Sequence, residues 1–384
     1  MIKKILVLTD DMPWGHRSIA RAIYGYLKTK EKENGWRAEY AEVKAKTAGM
    51  VDFYNFLYRY WPASNRVLHK MSFNRGVGEV YKEMSILNLP SLKKLVEKSK
   101  PDLIICCYLW HSQSLVEWRK KENRKFKLWT VVADPWTVNA FSYFKEADLH
   151  LVYDGVGEKE GLKRGISKNK ILKTGWWVRE QMYEKKWKVE SCKSKVKKKL
   201  GFTDDRPVIF VGGGSLGTSA LPKLLPALLL VKKPVGVVVN TGADRMAFKM
   251  VANYMKLFSN FKKKRELVQI KNLGWIDNMA EVLTACDIVF GKAGPNFLFD
   301  VMAVGKPFVA ITHIGGQEDG NIDLIKKKKL GWVKEKNGEA AKFLFDYLEK
   351  PGYYNKKFAK NIKREGENNR NSLKKVERMI KKTI

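Results

Sequence analysis

Two ionisable side chains in the first half of the chain could carry acid–base chemistry. His16 ends the loop 11–16, which follows a β-branched run that predicts a first strand. An imidazole can act as a general base near neutral pH, although a lone loop histidine more often has a structural or capping role. Asp134 follows another apolar run, at the strand end where α/β proteins place ligand groups. Its alternative role is that of a turn residue before Pro135.

The second half contains two glycine-rich turns, each between a predicted strand and a predicted helix. They are Val211–Gly217 and Gly291–Pro295. Glycines let the backbone approach a phosphate, and the following helix offers free N–H groups and a positive dipole end. Lys292 adds a cation, and Pro295 suits a first helical turn. The turns indicate a diphosphate site, with plain tight turns as the alternative; neither has the Gly-Lys-Ser/Thr of a Walker A loop.

A third polar loop, Gly315–Asn321, follows a later strand. Its side chains can donate and accept the hydrogen bonds that sugar hydroxyls require. The alternative is a solvated loop in which Asp319 or Asn321 caps a helix. Asp300, one turn into the helix after Pro295, could accept hydrogen bonds from ribose, or could be an acidic residue favoured by the helix dipole.

Alternating strands and helices must position these residues. Strand-like runs alternate with helix-period segments almost throughout, which predicts parallel sheets with crossover helices. The predicted strands are 5–9, 103–108, 127–133, 149–153, 171–174, 208–211, 235–239, 267–270, 288–290 and 308–311, and the clearest helical patterns are 18–27, 221–230, 279–285 and 297–304. The lysine-rich stretch 184–200 is interpreted as a solvated connection or an exposed helix. The charged segment from about residue 354 either packs back on the first domain or forms a basic tail.

The length of 384 residues favours two domains, for which the sequence predicts the boundaries 1–176, 177–206 (connection), 207–350 and 351–384 (helix or tail). The net charge of +34, from 74 Lys+Arg against 40 Asp+Glu, attracts nucleic acid, nucleotide phosphates or anionic lipid, although a generally lysine-rich composition could explain most of this charge.

The spacing of the four cysteines predicts neither a zinc site nor a disulfide framework. No run reaches the roughly 18 apolar residues of a spanning helix, so membrane contact is expected to be peripheral.

Read in order, these motifs resemble the glycosyltransferases that include the monogalactosyldiacylglycerol synthases and the processive diacylglycerol glucosyltransferases, with the peptidoglycan transferase MurG as a more distant relative. The resemblance rests on the loop 11–16, Val132–Asp134 and Gly165–Gly175, and more specifically on Gly212–Gly214, Gly274–Ile276, Lys292–Pro295, Gly305–Pro307, and Gln317 and Glu318 with Asn321. It implies an α/β fold of the GT-B class, in which two Rossmann-like domains face a central cleft. The first would bind an acceptor lipid and the second a nucleotide sugar.

The resemblance also implies roles for individual residues. His16 is the first candidate for the catalytic base and Asp134 the second. The acceptor loop would contain Asp11, Trp14 and Gly15. The donor-binding candidates are Gly213, Gly214, Gly242, Gly274, Trp275, Lys292, Ala293, Gly294, Pro295, Asp300, Gln317, Glu318 and Asn321.

Among these donor candidates, the glycines at 213 and 214 and the turn 292–295 would face the diphosphate. Trp275 would lie against the base, Asp300 against ribose, and Gln317 and Glu318 against the hexose. The implied reaction inverts the anomeric carbon and needs neither metal nor other cofactor, because helix dipoles and Lys292 stabilise the leaving nucleotide. The chain departs from the family pattern at Phe297, where a small hydroxyl residue is usual near the phosphates.

The implied function is hexose transfer from a UDP-sugar to a diacylglycerol-type lipid, by a cytoplasmic protein attached to the inner face of the cell membrane. The aromatic stretch 53–62 either contacts the headgroups of an anionic membrane surface or forms a helix packed in the first domain. Alternatives are another lipid-linked acceptor, a UDP-sugar 2-epimerase on the same fold, and a basic nucleic-acid binder. No recognised nucleic-acid module is present, so no specific nucleic-acid partner is expected.

Overall fold

The computed structural model describes residues 2–12, 15–44, 56–57, 61–71, 85–202, 205–212 and 220–384. The chain forms two compact units. The first unit comprises Met1–Glu180, Ile314–Gly320 and Asn368–Ile384, and the second comprises Gln181–His313 and Asn321–Glu367. The short segment 314–320 therefore lies with the first unit, although the chain on both sides of it belongs to the second.

The described residues of the first unit contain a six-stranded parallel sheet with the strand order β2-β1-β3-β4-β5-β6. The strands are β1 (Lys3–Asp10), β2 (Trp36–Val43), β3 (Leu103–Cys106), β4 (Lys127–Val131), β5 (Leu149–Val152) and β6 (Ile171–Lys173). The helices between them are α1 (Gly15–Thr29), α2 (Glu31–Asn34), α3 (Pro62–Met71), α4 (Leu89–Ser99), α5 (Leu109–Glu122) and α6 (Gly155–Lys163). Because β1, β3 and β4 are parallel neighbours, their carboxyl ends meet at one edge of the sheet.

The second unit has the same architecture, a parallel sheet of six described strands in the order β12-β11-β10-β7-β8-β9. The strands are β7 (Val208–Gly212), β8 (Val235–Asn240), β9 (Val268–Leu273), β10 (Ile288–Lys292), β11 (Phe308–Thr312) and β12 (Gly331–Val333). The remaining helices along the chain are α7 (Glu190–Lys199), α8 (Leu221–Leu224), α9 (Arg245–Ser259), α10 (Lys262–Leu267), α11 (Met279–Ala285), α12 (Pro295–Ala303), α13 (Asp319–Lys327), α14 (Glu339–Glu349), α15 (Pro351–Lys357), α16 (Ala359–Arg370) and α17 (Ser372–Thr383). Within the described ranges, no helix is both long enough and apolar enough to cross a bilayer.

The ten strands predicted from the sequence are present, most with ends shifted by one to three residues. The predictions missed β2 and β12. Strand β2 lies at the sheet edge and carries charged residues such as Arg37 and Glu39, while β12 has only three residues. The predicted helix 221–230 is correct only over its first turn: α8 ends at Leu224, and a 3₁₀ segment runs from Pro226 to Leu230. Pro226 has no N–H to continue the α-helical hydrogen bonds.

The lysine-rich stretch that follows the first unit forms a helix anchored to the second. Helix α7 places the ammonium groups of Lys193 and Lys197 3.1 and 3.4 Å from the Asp287 carboxylate. Burial raises the pKa of Asp287, but Lys197, the N–H of Val208, Lys193 and Lys306 together outweigh that effect and lower it. Of the two interpretations of this stretch, the structure supports a helix, and one side of it is held against the second unit.

The C-terminal helix α17 packs on the first unit rather than forming a tail. Leu373, Val376 and Ile380 are buried, and the hydroxyl of Tyr26 on α1 donates a hydrogen bond to Glu377. The apolar positions recur every three or four residues, so α17 presents a single apolar face to the unit.

Truncating that face tests its contribution to stability. Ile380→Ala removes a side chain with no solvent exposure and is expected to lower the free energy of unfolding of the first unit by about 2–4 kcal/mol. Urea denaturation of Ile380→Ala and of Lys382→Ala, whose side chain is exposed, provides the measurement and its control. Equal losses in the two variants would contradict the packing of α17.

Candidate functional site

The carboxyl end of β1 holds a buried acidic residue, Asp10. It is the last residue of the strand, has no solvent exposure, and accepts a hydrogen bond from the Thr9 hydroxyl at 3.0 Å. Burial raises the pKa of Asp10, while the nearby His16 imidazole acts in the opposite direction. The sequence analysis did not include Asp10 among the site residues and chose Asp11, which the structure exposes to solvent.

His16 lies in the first turn of α1 and is held by the end of β3. Its Nδ1 atom is 3.1 Å from the carbonyl oxygen of Cys107, and its ring meets that of Tyr108 edge-on at 5.3 Å. Because a carbonyl oxygen can only accept, Nδ1 is the protonated nitrogen and Nε2 carries the lone pair of the neutral ring. Burial lowers the pKa of His16, and the Asp10 carboxylate opposes that shift. The geometry therefore gives a neutral imidazole whose Nε2 can accept a proton.

Asp134, the second candidate base, lies after β4 and close to Glu318. Burial, with a further contribution from the Glu318 carboxylate, raises the pKa of Asp134 to about 7. Glu318 is itself buried and accepts a hydrogen bond from the backbone N–H of Ile314 at 2.7 Å. The structure thus brings together two residues that the sequence analysis assigned to different domains.

The loop 314–320 is fixed to the first unit by specific contacts. The N–H of Gly320 donates to the hydroxyl of Thr137 at 2.6 Å, and Arg66 lies 3.4 Å from the carboxylate of Asp319. Gly316 has a φ of +85°, and a Cβ there would lie 2.7 Å from the Cβ of His69. Only glycine fits that position without displacing its neighbour. Gln317, the other hexose candidate, is half-buried in this loop.

The structure describes only one of the other two acceptor-loop candidates. Gly15 begins α1 and is exposed. Trp14 lies outside the described residues.

In the second unit, the carboxyl ends of β7, β8 and β10 approach one another closely. Gly212 has a φ of +139°, and a Cβ on it would lie 2.4 Å from the carbonyl oxygen of Asn240. A Cβ on Gly291 would lie 2.6 Å from the carbonyl oxygen of Gly212. The glycines are therefore required by backbone proximity. Gly213 and Gly214, which follow directly, lie outside the described residues.

The turn after β10 carries the candidate diphosphate residues. Lys292 is buried, and the strand register against β11 shifts between Gly291 and Lys292. The N–H of Ala293 donates to Thr312 at 2.8 Å, and its carbonyl accepts a hydrogen bond from the buried Asn321 side chain, also at 2.8 Å. These contacts fix the path of the chain into α12.

Helix α12 begins with features that suit an anion. Gly294 is its N-cap and supplies no side-chain cap, and Pro295 is in the first turn. The first turn of a helix carries N–H groups and the positive end of the helix dipole, and both favour an anion there. Asp300 is buried in the second turn of the same helix. The departure at Phe297 has a structural reason, because its ring packs in the core, 5.5 Å from Phe210 and 6.1 Å from Phe308.

The candidate base-binding residues lie at the end of β9. The side-chain amide of Asn240 donates to the carbonyl of Gly274 at 2.8 Å, which ties the ends of β8 and β9 together. Trp275 is 71% exposed, and its indole N–H donates to Asp277 at 2.9 Å. Gly242 has a φ of +57°. An exposed ring of fixed orientation can stack on a nucleobase.

Sequence reasoning missed three residues: Asp10, which is buried near His16, and Thr137 and Asn240, which hold loops. All three are polar and lie at or shortly after the end of a predicted strand, which is the signal that could have found them. Among the described residues, no group of three or more histidine, cysteine, aspartate or glutamate side chains could hold a metal ion. The expectation of a metal-free, cofactor-free reaction remains a prediction.

Two Rossmann-like units, each with ionisable or anion-competent groups at the carboxyl edge of its sheet, define a protein of the GT-B class. Comparison with protein families gives the same result. Residues 16–178 match the family described as monogalactosyldiacylglycerol (MGDG) synthase, and residues 208–381 match the glycosyltransferase family 28 C-terminal domain. Together the two models cover most of the chain, and they confirm the predicted family, the GT-B fold class and the enzyme class of glycosyltransferases.

Individual relatives have low sequence identity to this chain but match most of its length. The chain is 23% identical to monogalactosyldiacylglycerol synthase 1 of Arabidopsis thaliana, over 90% of this chain and 65% of that protein. It is 22% identical to the processive diacylglycerol beta-glucosyltransferase of Bacillus licheniformis, over 83% and 80%. Similar folds occur in Acinetobacter baumannii MurG (TM-score 0.59, 13% identity, 99% of both chains) and in the UDP-GlcNAc 2-epimerase of Neisseria meningitidis (TM-score 0.61, 14% identity, 98% and 100%).

The geometry around His16 predicts how its titration responds to Asp10. Burial lowers the pKa of His16 from its ordinary value of 6.5, and the Asp10 carboxylate raises it. Asp10→Asn removes the negative charge that favours the imidazolium, so the pKa of His16 should fall further. Side-chain NMR of histidine-labelled protein would measure both the titration and the Nδ1–H tautomer. An unchanged or raised pKa in Asp10→Asn would contradict the pairing.

Proposed function

We propose that the protein transfers a hexose from a UDP-sugar to a diacylglycerol-type lipid, with inversion at the anomeric carbon. The observation that carries the proposal is the arrangement of His16, whose Nδ1–H is directed to the Cys107 carbonyl and whose ring lies near the buried Asp10. Support for the donor and acceptor classes comes from the family matches and from the named lipid glycosyltransferases.

In the proposed reaction, Nε2 of His16 takes the proton of the acceptor hydroxyl. The freed oxygen forms a bond to the anomeric carbon while the bond from that carbon to the UDP oxygen breaks. The imidazolium that forms is stabilised by the Asp10 carboxylate, which is desolvated and therefore acts at low effective dielectric. The histidine is neutral before the reaction because burial lowers the pKa of His16.

The second unit is proposed to hold the leaving nucleotide. Lys292 would neutralise the diphosphate, and the first turn of α12, which begins at a glycine N-cap, would donate backbone N–H groups to it. The exposed indole of Trp275 would stack on uracil, and Asp300 would accept hydrogen bonds from ribose. Stabilisation of the departing diphosphate by fixed charges and dipoles needs no metal ion.

Asp134 and Glu318 are proposed to serve the hexose. A carboxyl group with a pKa of about 7 is protonated in about half of the molecules at neutral pH. Asp134 can therefore donate as well as accept, which suits a sugar hydroxyl. Asp134 also remains the second candidate for the base, and mutation of each residue separately distinguishes the two.

The proposed location is the cytoplasmic face of the cell membrane, with peripheral attachment. The positive net charge favours an anionic lipid surface. Of the aromatic stretch 53–62, only residues 56, 57, 61 and 62 are described; Phe56 and Trp61 are exposed there. Exposed aromatic side chains suit the headgroup level of a bilayer.

The similarity of fold to MurG and to the Neisseria epimerase keeps two alternatives open: another lipid-linked acceptor, and 2-epimerisation of a UDP-sugar. Changing the acceptor in the assay distinguishes the first. The second predicts turnover of UDP-N-acetylglucosamine with no acceptor present.

The decisive assay combines purified protein, UDP-glucose or UDP-galactose, and vesicles that contain diacylglycerol. Glycolipid should form, and His16→Ala should lower kcat about 10²–10⁴-fold because the proton acceptor is lost. Added imidazole should restore part of the activity of His16→Ala, and UDP binding should be unchanged. Absence of glycolipid with every donor, together with no effect of UDP on the melting temperature, would refute the proposal. Retained activity in His16→Ala with loss in Asp134→Asn would move the base to Asp134.

A further inference from the structure

Helix α9 of the second unit carries an exposed apolar stripe beside the apolar face that it buries. Ala247, Val251 and Phe258 are buried in the core of the unit. On one side of α9, three large apolar residues of the helix and one in the turn after it are exposed to solvent: Met246 (77%), Met250 (45%), Leu257 (52%) and Phe261 (51%). A further exposed apolar residue, Phe248 (40%), lies on a different side of the helix. A surface helix needs a single apolar face to pack on its domain. We refer to Met246, Met250, Leu257 and Phe261 as the outer stripe.

The spacing of the outer stripe places its members on one side of the helix. Met246 and Met250 are four residues apart, and Leu257 follows seven residues later, so their side chains project in nearly the same direction at 100° per residue. Phe261 continues the series four residues beyond Leu257, directly after the helix ends at Ser259. Single exposed apolar residues are ordinary, but an aligned series of four marks a surface that contacts a partner.

Positive charge borders the outer stripe. Lys249 and Lys256 are exposed on α9, and Lys263 is exposed on α10. Between Asp244 and Glu266 the sequence contains no aspartate or glutamate. Lysine side chains beside an apolar stripe can extend to phosphate groups while the apolar residues enter a less polar layer.

We propose that the outer stripe is a contact surface for an anionic lipid bilayer. Methionine, leucine and phenylalanine would enter the boundary between headgroups and acyl chains, and the neighbouring lysines would contact lipid phosphates. The charge argues against a second copy of the chain as the occupant. A two-fold contact through this helix would bring the lysines of both copies together, with no acidic residue of this segment to pair with them.

This surface gives the second unit an attachment of its own, separate from the aromatic stretch 53–62 of the first. This contact extends the proposed function. It depends on that function in one respect, which is that a lipid acceptor would lie in the same bilayer. Because the contact requires lipid and not catalysis, it can be measured without a donor or an acceptor.

Vesicle binding with a matched pair of variants tests the proposal. Leu257→Glu removes an apolar side chain from the outer stripe and adds a repelled charge. Leu230→Glu makes the same substitution at another exposed leucine of the second unit (67% exposed), in the 3₁₀ segment outside α9. Partition would be measured by flotation with vesicles of phosphatidylcholine alone or mixed with phosphatidylglycerol, and without diacylglycerol. Circular dichroism and melting temperature would show that both variants remain folded.

The unmodified protein should bind the vesicles that contain phosphatidylglycerol, and binding should weaken at high salt. Leu257→Glu and Met250→Glu should each lower the partition coefficient about tenfold or more, while Leu230→Glu stays close to the unmodified protein. Equal binding of all variants, or no binding of the unmodified protein, would overturn the proposal. A change in oligomeric state of Leu257→Glu with unchanged vesicle binding would assign the stripe to a second copy. Transfer to a detergent-dispersed acceptor, assayed separately, reports failure of the proposed function independently.

Discussion

The backbone at the ends of β7, β8 and β10 is packed so closely that two positions accept no side chain. A Cβ on Gly212 would lie 2.4 Å from Asn240, and a Cβ on Gly291 would lie 2.6 Å from Gly212. Both distances are far below van der Waals contact, so any larger residue would separate the strands and move the loops that follow them. The position of Lys292, and with it the proposed diphosphate site, therefore depends first on glycine at these two strand ends.

The first unit meets a different requirement, since it must keep ionisable groups reactive in an apolar setting. Burial disfavours charge on Asp10, His16 and Asp134. The interaction between Asp10 and His16 opposes this effect at both residues, whereas Glu318 adds to it at Asp134. The carbonyl of Cys107 fixes the tautomer of His16, and a buried carboxylate lies close enough to favour its protonated form. A proton acceptor of this kind is neutral at rest and gains stabilisation when it takes up the proton.

The sequence predicted ten of the twelve described strands and the glycines at the ends of β7 and β10, because apolar runs and glycines are local signals, but it missed β2 and β12. Sequence reasoning failed where contacts between residues far apart in the chain determine the burial or position of a residue. The burial of Asp10 rather than Asp11 depends on neighbouring strands, and the ring of Phe297 occupies core space between β7 and β11. The attachment of the loop 314–320 to the first unit depends on Thr137 and Gly320, which are 183 residues apart. No local pattern carries that information, and no comparison tests the individual site residues, whose roles stay predictions.

The central claim, that the second unit grips a nucleoside diphosphate at the turn after β10, is tested most directly by UDP affinity. Isothermal titration calorimetry would compare the unmodified protein with Lys292→Met and with Lys271→Met, which replaces an exposed lysine on the edge strand β9 of the same sheet. The account predicts that Lys292→Met weakens UDP binding about 10- to 100-fold through loss of a charged hydrogen bond, while Lys271→Met binds normally. Equal affinity of all three proteins for UDP would contradict it.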